Sequence, residues 1–245
     1  MKLKVLGSSS AGNCYILEND SEVLILEAGV KFAEVQRALN FNISKIVACL
    51  ITHEHNDHAG KILSFPRFVD VFCSRGTADS ADIGEKTKTH IVSANKPFRI
   101  GTFRIIPFST MHDAAEPLGF FINHHETGNV LFATDTYYLP CTFAGLNNIL
   151  IECNYRLDIL ERNIAAGIIP MAMRNRILQS HFGYEHCLQA LRANDLKAVN
   201  NIVLIHLSSD NSNEKEFKDD MQKATGKTIH VADKGMIIDF NKTPF

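Results

Sequence analysis

Thr52-His53-Glu54-His55-Asn56-Asp57-His58 is the stretch that decides the fold. Directly before it runs Ile46-Val47-Ala48-Cys49-Leu50-Ile51, an unbroken apolar hexad suited to a strand buried on both faces. Past a strand end the chain is free to turn, so neighbouring side chains can converge instead of alternating across a sheet. His53, His55, Asp57 and His58 supply imidazole and carboxylate groups within six positions. That donor set suits zinc, iron or manganese. One histidine on a loop is ordinarily just solvated. Four ligand-type residues packed behind a hydrophobic strand point to a metal centre.

Three further segments repeat the form of an apolar run that ends in a ligand-type residue. Ile105-Ile106-Pro107-Phe108 leads to His112, Val130-Leu131-Phe132-Ala133 to Asp135, and Ile202-Val203-Leu204-Ile205 to His206. Taken singly each is weak, and His206 alone reads as well as a hydrogen-bonded core histidine. Their recurrence is the argument: strand ends lying side by side would bring all three onto the 53–58 loop.

The rest of the chain fits a layered α/β protein. Strands are expected at Lys2–Leu6, Cys14–Leu17, Val23–Leu26, Phe103–Phe108, Gly119–Asn123, Thr228–Val231 and Met236–Phe240, with others near Val71, Ile91 and Phe98. Helical spacing covers Lys31–Leu39, His58–Phe65, Leu157–Ala166, Glu185–Leu196 and Glu214–Ala224. Strands and helices mix in both halves, with no Pro- or Gly-rich linker, so residues 1–245 read as one domain of sheets covered by helices. The apolar content of 45% excludes a disordered chain. The formal charge of −2 shows no global excess of positive charge that would announce nucleic acid. The longest apolar stretch, Ile164–Met173, is ten residues broken by Gly167 and Pro170, too short to span a membrane. Six widely spaced cysteines without a C-x-x-C pair suggest buried thiols in a reducing, cytoplasmic setting.

The pattern H-x-H-x-D-H followed by a strand-end His, Asp and His resembles the metallo-β-lactamase superfamily over essentially the whole chain. That resemblance implies an αββα sandwich with two divalent metal ions at one edge. His53, His55 and His112 would hold one ion, Asp57, His58 and His206 the other, and Asp135 would bridge them. Where members often carry Asp-x-Gly, this chain has Glu27-Ala28-Gly29. Within the superfamily the chain is similar to the WalJ/YycJ group of bacterial DNA exonucleases. The similarity lies in Gly7-Ser8-Ser9-Ser10-Ala11-Gly12-Asn13, His112-Asp113-Ala114-Ala115-Glu116-Pro117, Glu152-Cys153-Asn154-Tyr155 and His206-Leu207-Ser208-Ser209-Asp210-Asn211. It continues through Arg174-Asn175-Arg176-Ile177-Leu178 to His181, whose neighbours Ser180, Phe182 and Gly183 depart from the group's Gly-His-Leu-Ser.

Two ions ~3.5–4 Å apart can share a hydroxide and lower the pKa of its parent water toward ~7. A phosphodiester gains most from such a pair, but an ester or lactam gains too; DNA, or RNA, as the substrate is what the resemblance to the exonuclease group implies. Asp57 and His181 are the candidate catalytic groups. Arg174 and Arg176 could clamp phosphate, since guanidinium groups fit its oxygens bidentately, although a solvated turn explains them equally well. Ser208 is a further candidate substrate contact. Glu27, Glu152 and Asn154 are expected to orient the metal-bound side chains. Zinc or manganese is expected at the centre, with iron an alternative. Rival readings are a hydrolase of small thioesters, lactones or cyclic nucleotides, a mononuclear iron dioxygenase, and a non-catalytic nucleic-acid-binding module.

Overall fold

The computed structural model describes residues 1–244. The first sheet contains β1 (Lys2–Gly7), β2 (Cys14–Glu18), β3 (Val23–Leu26), β4 (Ile46–Leu50), β5 (Asp70–Cys73) and β6 (Lys88–Ile91). The second contains β7 (Phe98–Ile100), β8 (Phe103–Ser109), β9 (Leu118–His124), β10 (Gly128–Ala133), β11 (Leu146–Glu152), β12 (Asn201–Ile205) and β13 (Thr228–Val231). A last strand, β14 (Ile237–Asp239), returns to the first sheet and pairs with β1. The spatial orders are β14-β1-β2-β3-β4-β5-β6 and β13-β12-β11-β10-β9-β8-β7.

Side chains of a strand alternate between faces, and three apolar clusters follow from that alternation. Leu24 and Leu26 of β3 join Leu3, Tyr15 and Leu50 between the sheets, packed against Phe103, Phe120, Phe132 and Val203. Tyr15 and Phe132 meet edge to face across this core, with centroids 5.7 Å apart. Val23 and Ile25, the alternate residues of β3, face outward under Phe32 and Val35 of α1 (Phe32–Ala38). The same layer holds Ala59 of α2 (Asn56–Ala59) and Ala78 of α3 (Arg75–Ser80). On the second sheet the outer cover is α6 (Tyr184–Ala193) through Cys187 and Leu191, and α7 (Glu214–Thr225) through Phe217 and Met221. Two sheets between two helical layers make the αββα sandwich.

Strand direction builds the site. β3 and β4 run parallel, and β1 shares their direction because it is antiparallel to β2, which is antiparallel to β3. In the second sheet β10, β11 and β12 run parallel, and β8 shares their direction through β9. The carboxyl ends of all seven strands therefore gather along one edge. The two sheets are joined there by a hydrogen bond from the His206 N–H to Ser8 Oγ (2.9 Å). Three residues within two positions of these ends have positive φ: Glu27 (69°), Asp135 (34°) and His206 (53°). Left-handed backbone at non-glycine residues costs on the order of 1–2 kcal/mol each, and such strain collects where geometry serves a site.

The structure corrects the helix map in three places. The helix expected over His58–Phe65 is split into α2 and a separate 3₁₀ turn at Ile62–Ser64, with Gly60 between them. α3 was not foreseen, and it is six residues long. The segment around Arg174 and Arg176 is a ten-residue helix, α5 (Met171–Ser180), not a turn. It follows α4 (Leu157–Ala165) and buries only Ser180, so it lacks the apolar stripe by which a helix announces itself.

Candidate metal centre

The 53–58 loop leaves β4 and turns at once into α2, which aims His53, His55, Asp57 and His58 at one another. The His53 ring lies 4.7 Å from His55, 4.1 Å from His58 and 4.6 Å from His112, centroid to centroid. His112 Nε2 and His55 Nδ1 are 3.1 Å apart. His53, His55 and His112 form one group whose ligand atoms lie within 4.8 Å of one another, and Asp57, His58 and His206 form a second. Asp135 stands between them. Its Oδ2 is 3.8 Å from His53 Nε2 and 3.6 Å from His112 Nε2. Its Oδ1 is 3.3 Å from His58 Nε2 and 2.7 Å from His206 Nδ1. The carboxylate thus turns one oxygen to each group.

A ring of polar neighbours fixes the orientation of these side chains. Thr52 Oγ1 lies 2.9 Å from His53 Nδ1. His112 Nδ1–H donates to the Ser180 carbonyl oxygen (2.7 Å), which leaves Nε2 facing the centre. The Asn13 amide donates to Asp57 Oδ2 (3.1 Å), and the Asn154 amide to the His206 carbonyl oxygen (2.8 Å). Glu27, fully buried, accepts from the Thr52 N–H (3.3 Å) and lies 3.7 Å from His58 Nδ1. From a left-handed backbone (φ 69°) the Glu27 carboxylate thus reaches the 53–58 loop. Glu152 accepts from the Thr136 and Phe182 N–H groups through Oε2 (3.1 and 3.0 Å) and from His181 Nδ1–H through Oε1 (2.7 Å).

The arrangement fits divalent cations. His53 Nε2 is buried, aimed at Asp135 and without a hydrogen-bond partner, a condition that costs about 1–3 kcal/mol unless something else satisfies the atom. The donors are imidazole and carboxylate, a set that zinc and manganese accept. Charge is distributed unevenly among them. Burial opposes ionisation of Asp57, but hydrogen bonds from His206 and His58 hold its pKa far below the usual range. Burial likewise opposes a charged His206, yet Asp135 and Asp57 push its pKa up to about 10. His53 moves the other way, lowered by burial and by the neighbouring His58. Against burial, His58 is pushed up like His206, by Asp135 and Asp57, while Asp135 is held low by His206 and His58, so a cation here would compete with protons for the imidazoles.

Residues 24–207 match the beta-lactamase superfamily domain. The chain belongs to that superfamily. Among its curated relatives, exodeoxyribonuclease WalJ of Streptococcus pneumoniae serotype 2 (strain D39) is 27% identical, covering 98% of this chain and 92% of the relative. Exodeoxyribonuclease YycJ of Bacillus anthracis is 28% identical, covering 86% of this chain and 84% of the relative. Zn²⁺-bound PqqB of Methylobacterium extorquens superposes with a TM-score of 0.72 at 16% identity, over 98% of this chain and the whole of that one. At that identity the likeness shows the superfamily fold alone. Members of the superfamily typically bind divalent metals, and this one carries the His and Asp clusters to do so.

The other expected site residues of this superfamily member separate into those the structure gathers and those it does not. His181 is gathered: it caps the end of α5, with ring centroids 5.5 Å from His206 and 5.8 Å from His112. Asp135, Glu152, His181 and His206 form a further group with ligand atoms within 4.8 Å. Arg174 and Arg176 are not brought together, because residues two apart on a helix do not face each other. Arg174 turns to Glu161 of α4 (Nε to Oε1, 2.7 Å), while Arg176 lies toward Asp113 (3.6 Å) beside His112. The pair therefore does not form a joint clamp. The Ser208 hydroxyl accepts from the Asn211 N–H (3.2 Å) and borders a serine-lined cavity next to Ser8. Sequence reasoning missed Asn13, Thr52 and Ser180 as positioning residues. Asn13 lies in the Gly7–Asn13 match and could have been singled out there. Ser180 acts through its carbonyl, for which side-chain identity carries no signal.

No helix is long and apolar enough to cross a membrane. The six cysteines are free, and all but Cys141 are buried.

Proposed function

We propose that this chain is a metal-dependent phosphodiesterase that acts on DNA as an exonuclease, with two divalent cations held at the edge of the sandwich. The observation that carries the reading is Asp135, whose two oxygens face two separate groups of ligand-type side chains. The nucleic-acid substrate is supported by relatives named exodeoxyribonucleases that match nearly the full chain. His53, His55 and His112 would take one cation and Asp57, His58 and His206 the other, with zinc or manganese suited to both and iron an alternative. Cations bound there would lower the pKa of water toward ~7 and neutralise charge on phosphate oxygens.

The chain's own residues supply the rest. Asp57, held by the Asn13 amide and kept ionised, orients the attacking water. Glu152 fixes His181 by its Nδ1–H, so that Nε2 can exchange a proton with the leaving oxygen. Burial disfavours charge on His181, but Glu152 and Asp135 raise its pKa above the ordinary value, which suits a proton donor. Residues 1–245 act in this reading as one catalytic domain. The free thiols support a cytoplasmic location.

The test is hydrolysis of end-labelled single- and double-stranded DNA, with RNA as a second arm, in the presence of Mn²⁺ or Zn²⁺. Shortening from one end that requires metal and disappears in Asp135→Ala supports the proposal. A metal-loaded protein that leaves DNA intact but turns over a thioester, lactone or cyclic nucleotide overturns it. A protein that binds DNA and takes up no metal overturns it in favour of a binding module.

A further inference from the structure

Two cavities flank the centre, and they differ in chemistry. One, of about 610 Å³, is lined by serines such as Ser8 and Ser208 and by lysines (Lys31, Lys61) as well as acids (Glu34, Glu214), and no aromatic side chain borders it. The other, of about 570 Å³, is lined by His112, Asp113, Tyr137, Arg176, Gln179 and Ser180. Its inner wall is thus a residue of the centre itself. Tyr137 stands 37% exposed, and among the described residues its ring packs on no other aromatic group and its hydroxyl has no hydrogen-bond partner.

The ring is nonetheless displayed on fixed backbone. Tyr137 N–H donates to the Met111 carbonyl oxygen (3.0 Å), and the Met111 N–H donates to Thr136 Oγ1 (2.9 Å). Thr136 Oγ1–H donates in turn to the Tyr138 carbonyl oxygen (2.8 Å), and the Thr136 N–H to Glu152 (3.1 Å). An exposed aromatic side chain ordinarily loses freedom when it receives a flat partner. Here the backbone beneath it is already ordered, so only the freedom of the side chain itself is lost. In the same cavity the Arg176 side chain is largely exposed and forms a loose ion pair with Asp113, Nε to Oδ2 3.6 Å. A phosphate would compete with that carboxylate for the guanidinium, whose fork fits two phosphate oxygens.

We infer that this cavity seats the terminal nucleoside of the strand being degraded, with its base stacked on Tyr137 and its adjoining phosphate held by Arg176. The inference rests on the nuclease reading and names the feature of the substrate that the centre itself cannot recognise. An aromatic face, a guanidinium and the Gln179 amide match the base, the phosphate and the polar base edge of a nucleotide. Stacking accepts any base because every base has a π-face, so the seat would serve an enzyme that removes successive nucleotides regardless of sequence.

The experiment pairs a change in the protein with a change in the DNA. Steady-state hydrolysis is measured for wild type, Tyr137→Leu and Tyr137→Phe on single strands whose cleaved end carries either a normal or an abasic residue. Base–aromatic stacking predicts that Tyr137→Leu raises KM roughly 5- to 150-fold on the normal end. The phenylalanine variant should restore it. Wild type should suffer a similar loss on the abasic end, and Tyr137→Leu should no longer distinguish the two ends. Thermal melting and metal content equal to wild type establish that the leucine variant is folded. If wild type degrades DNA but treats both ends alike, or if Tyr137→Leu keeps the full discrimination, the base seat is wrong while the nuclease stands. If wild type degrades no DNA at all, the broader reading falls first.

Discussion

His112 and Ser180 are joined by a 2.7 Å hydrogen bond from the imidazole Nδ1–H to the backbone carbonyl oxygen. A carbonyl oxygen only accepts, so this contact sets the tautomer of His112 and turns Nε2 toward His55 and Asp135. Ser180 is the last residue of α5, a helix that buries nothing else. The integrity of a nearly naked helix is thereby tied to one wall of the centre. A proline in its interior, Leu178→Pro, should break the last turn and release His112. Metal affinity, read by competition with a chromophoric chelator, should fall roughly 10- to 100-fold, with little change in the melting of metal-free protein. Unchanged affinity would mean that the helix end does not position His112.

His181→Ala removes the group assigned to proton exchange. Its kcat on DNA should fall on the order of 10²- to 10⁴-fold, and the limb of the pH profile that reports a protonated donor should vanish. Cation content should stay at the wild-type level, as measured by elemental analysis. A variant that loses metal would instead place His181 among the ligands, beside Asp135, Glu152 and His206.

Gly29 is a position of close approach. A Cβ there would fall 1.9 Å from the Asp57 carbonyl oxygen and 2.4 Å from the Asn13 backbone nitrogen. Both neighbours are backbone and cannot swing aside. Gly29→Ala should therefore push the 53–58 loop outward, with a loss of about 1–3 kcal/mol of stability and of metal binding together. Denaturant titration and metal analysis on the same preparation check this, and retention of either property would argue against the loop shift.

Acid stability has a separate origin, far from the centre. Glu22 accepts from His124 Nε2–H (2.9 Å), from the Thr102 N–H (3.1 Å) and from the Thr102 hydroxyl. Burial lowers the pKa of His124 below 6.5. For Glu22, burial is outweighed by these hydrogen bonds, and its pKa falls below 4.5. Both folded values are depressed, so both contributions are complete above the unfolded pKa and disappear as pH falls. The His124 contribution starts to fade below pH 6.5 and that of Glu22 below pH 4.5. The difference in Tm between wild type and His124→Gln should accordingly shrink as pH drops from 7 to 5. A difference that holds constant over that range would refute the assignment.

The strands and the convergence at their ends were legible in the sequence because both rest on burial. A strand such as β4 must be apolar to sit between layers, and the first polar residues after it must lie at an edge. What escaped was whatever does not depend on an apolar pattern. α5 exposes Met171 and Met173, and its only buried residue, Ser180, is polar, so no periodicity marks it as a helix. With the helix unseen, Arg174 and Arg176 read as one unit, although the helix sends the first to Glu161 and leaves the second beside His112. His181 was legible as a functional residue only through family resemblance, since its approach to His206 depends on how α5 ends.

The gathering of strand ends also sets a timetable. The ligand-type residues extend from His53 to His206, and the second group lacks its last member until β12 has paired beside β11. A chain made from its amino end exposes the 53–58 loop long before residue 206 emerges. Ribosome-bound intermediates would carry the loop without its closing histidine, so the second group is incomplete until residue 206 has emerged. The order of synthesis thus makes assembly of the second group a late event in folding.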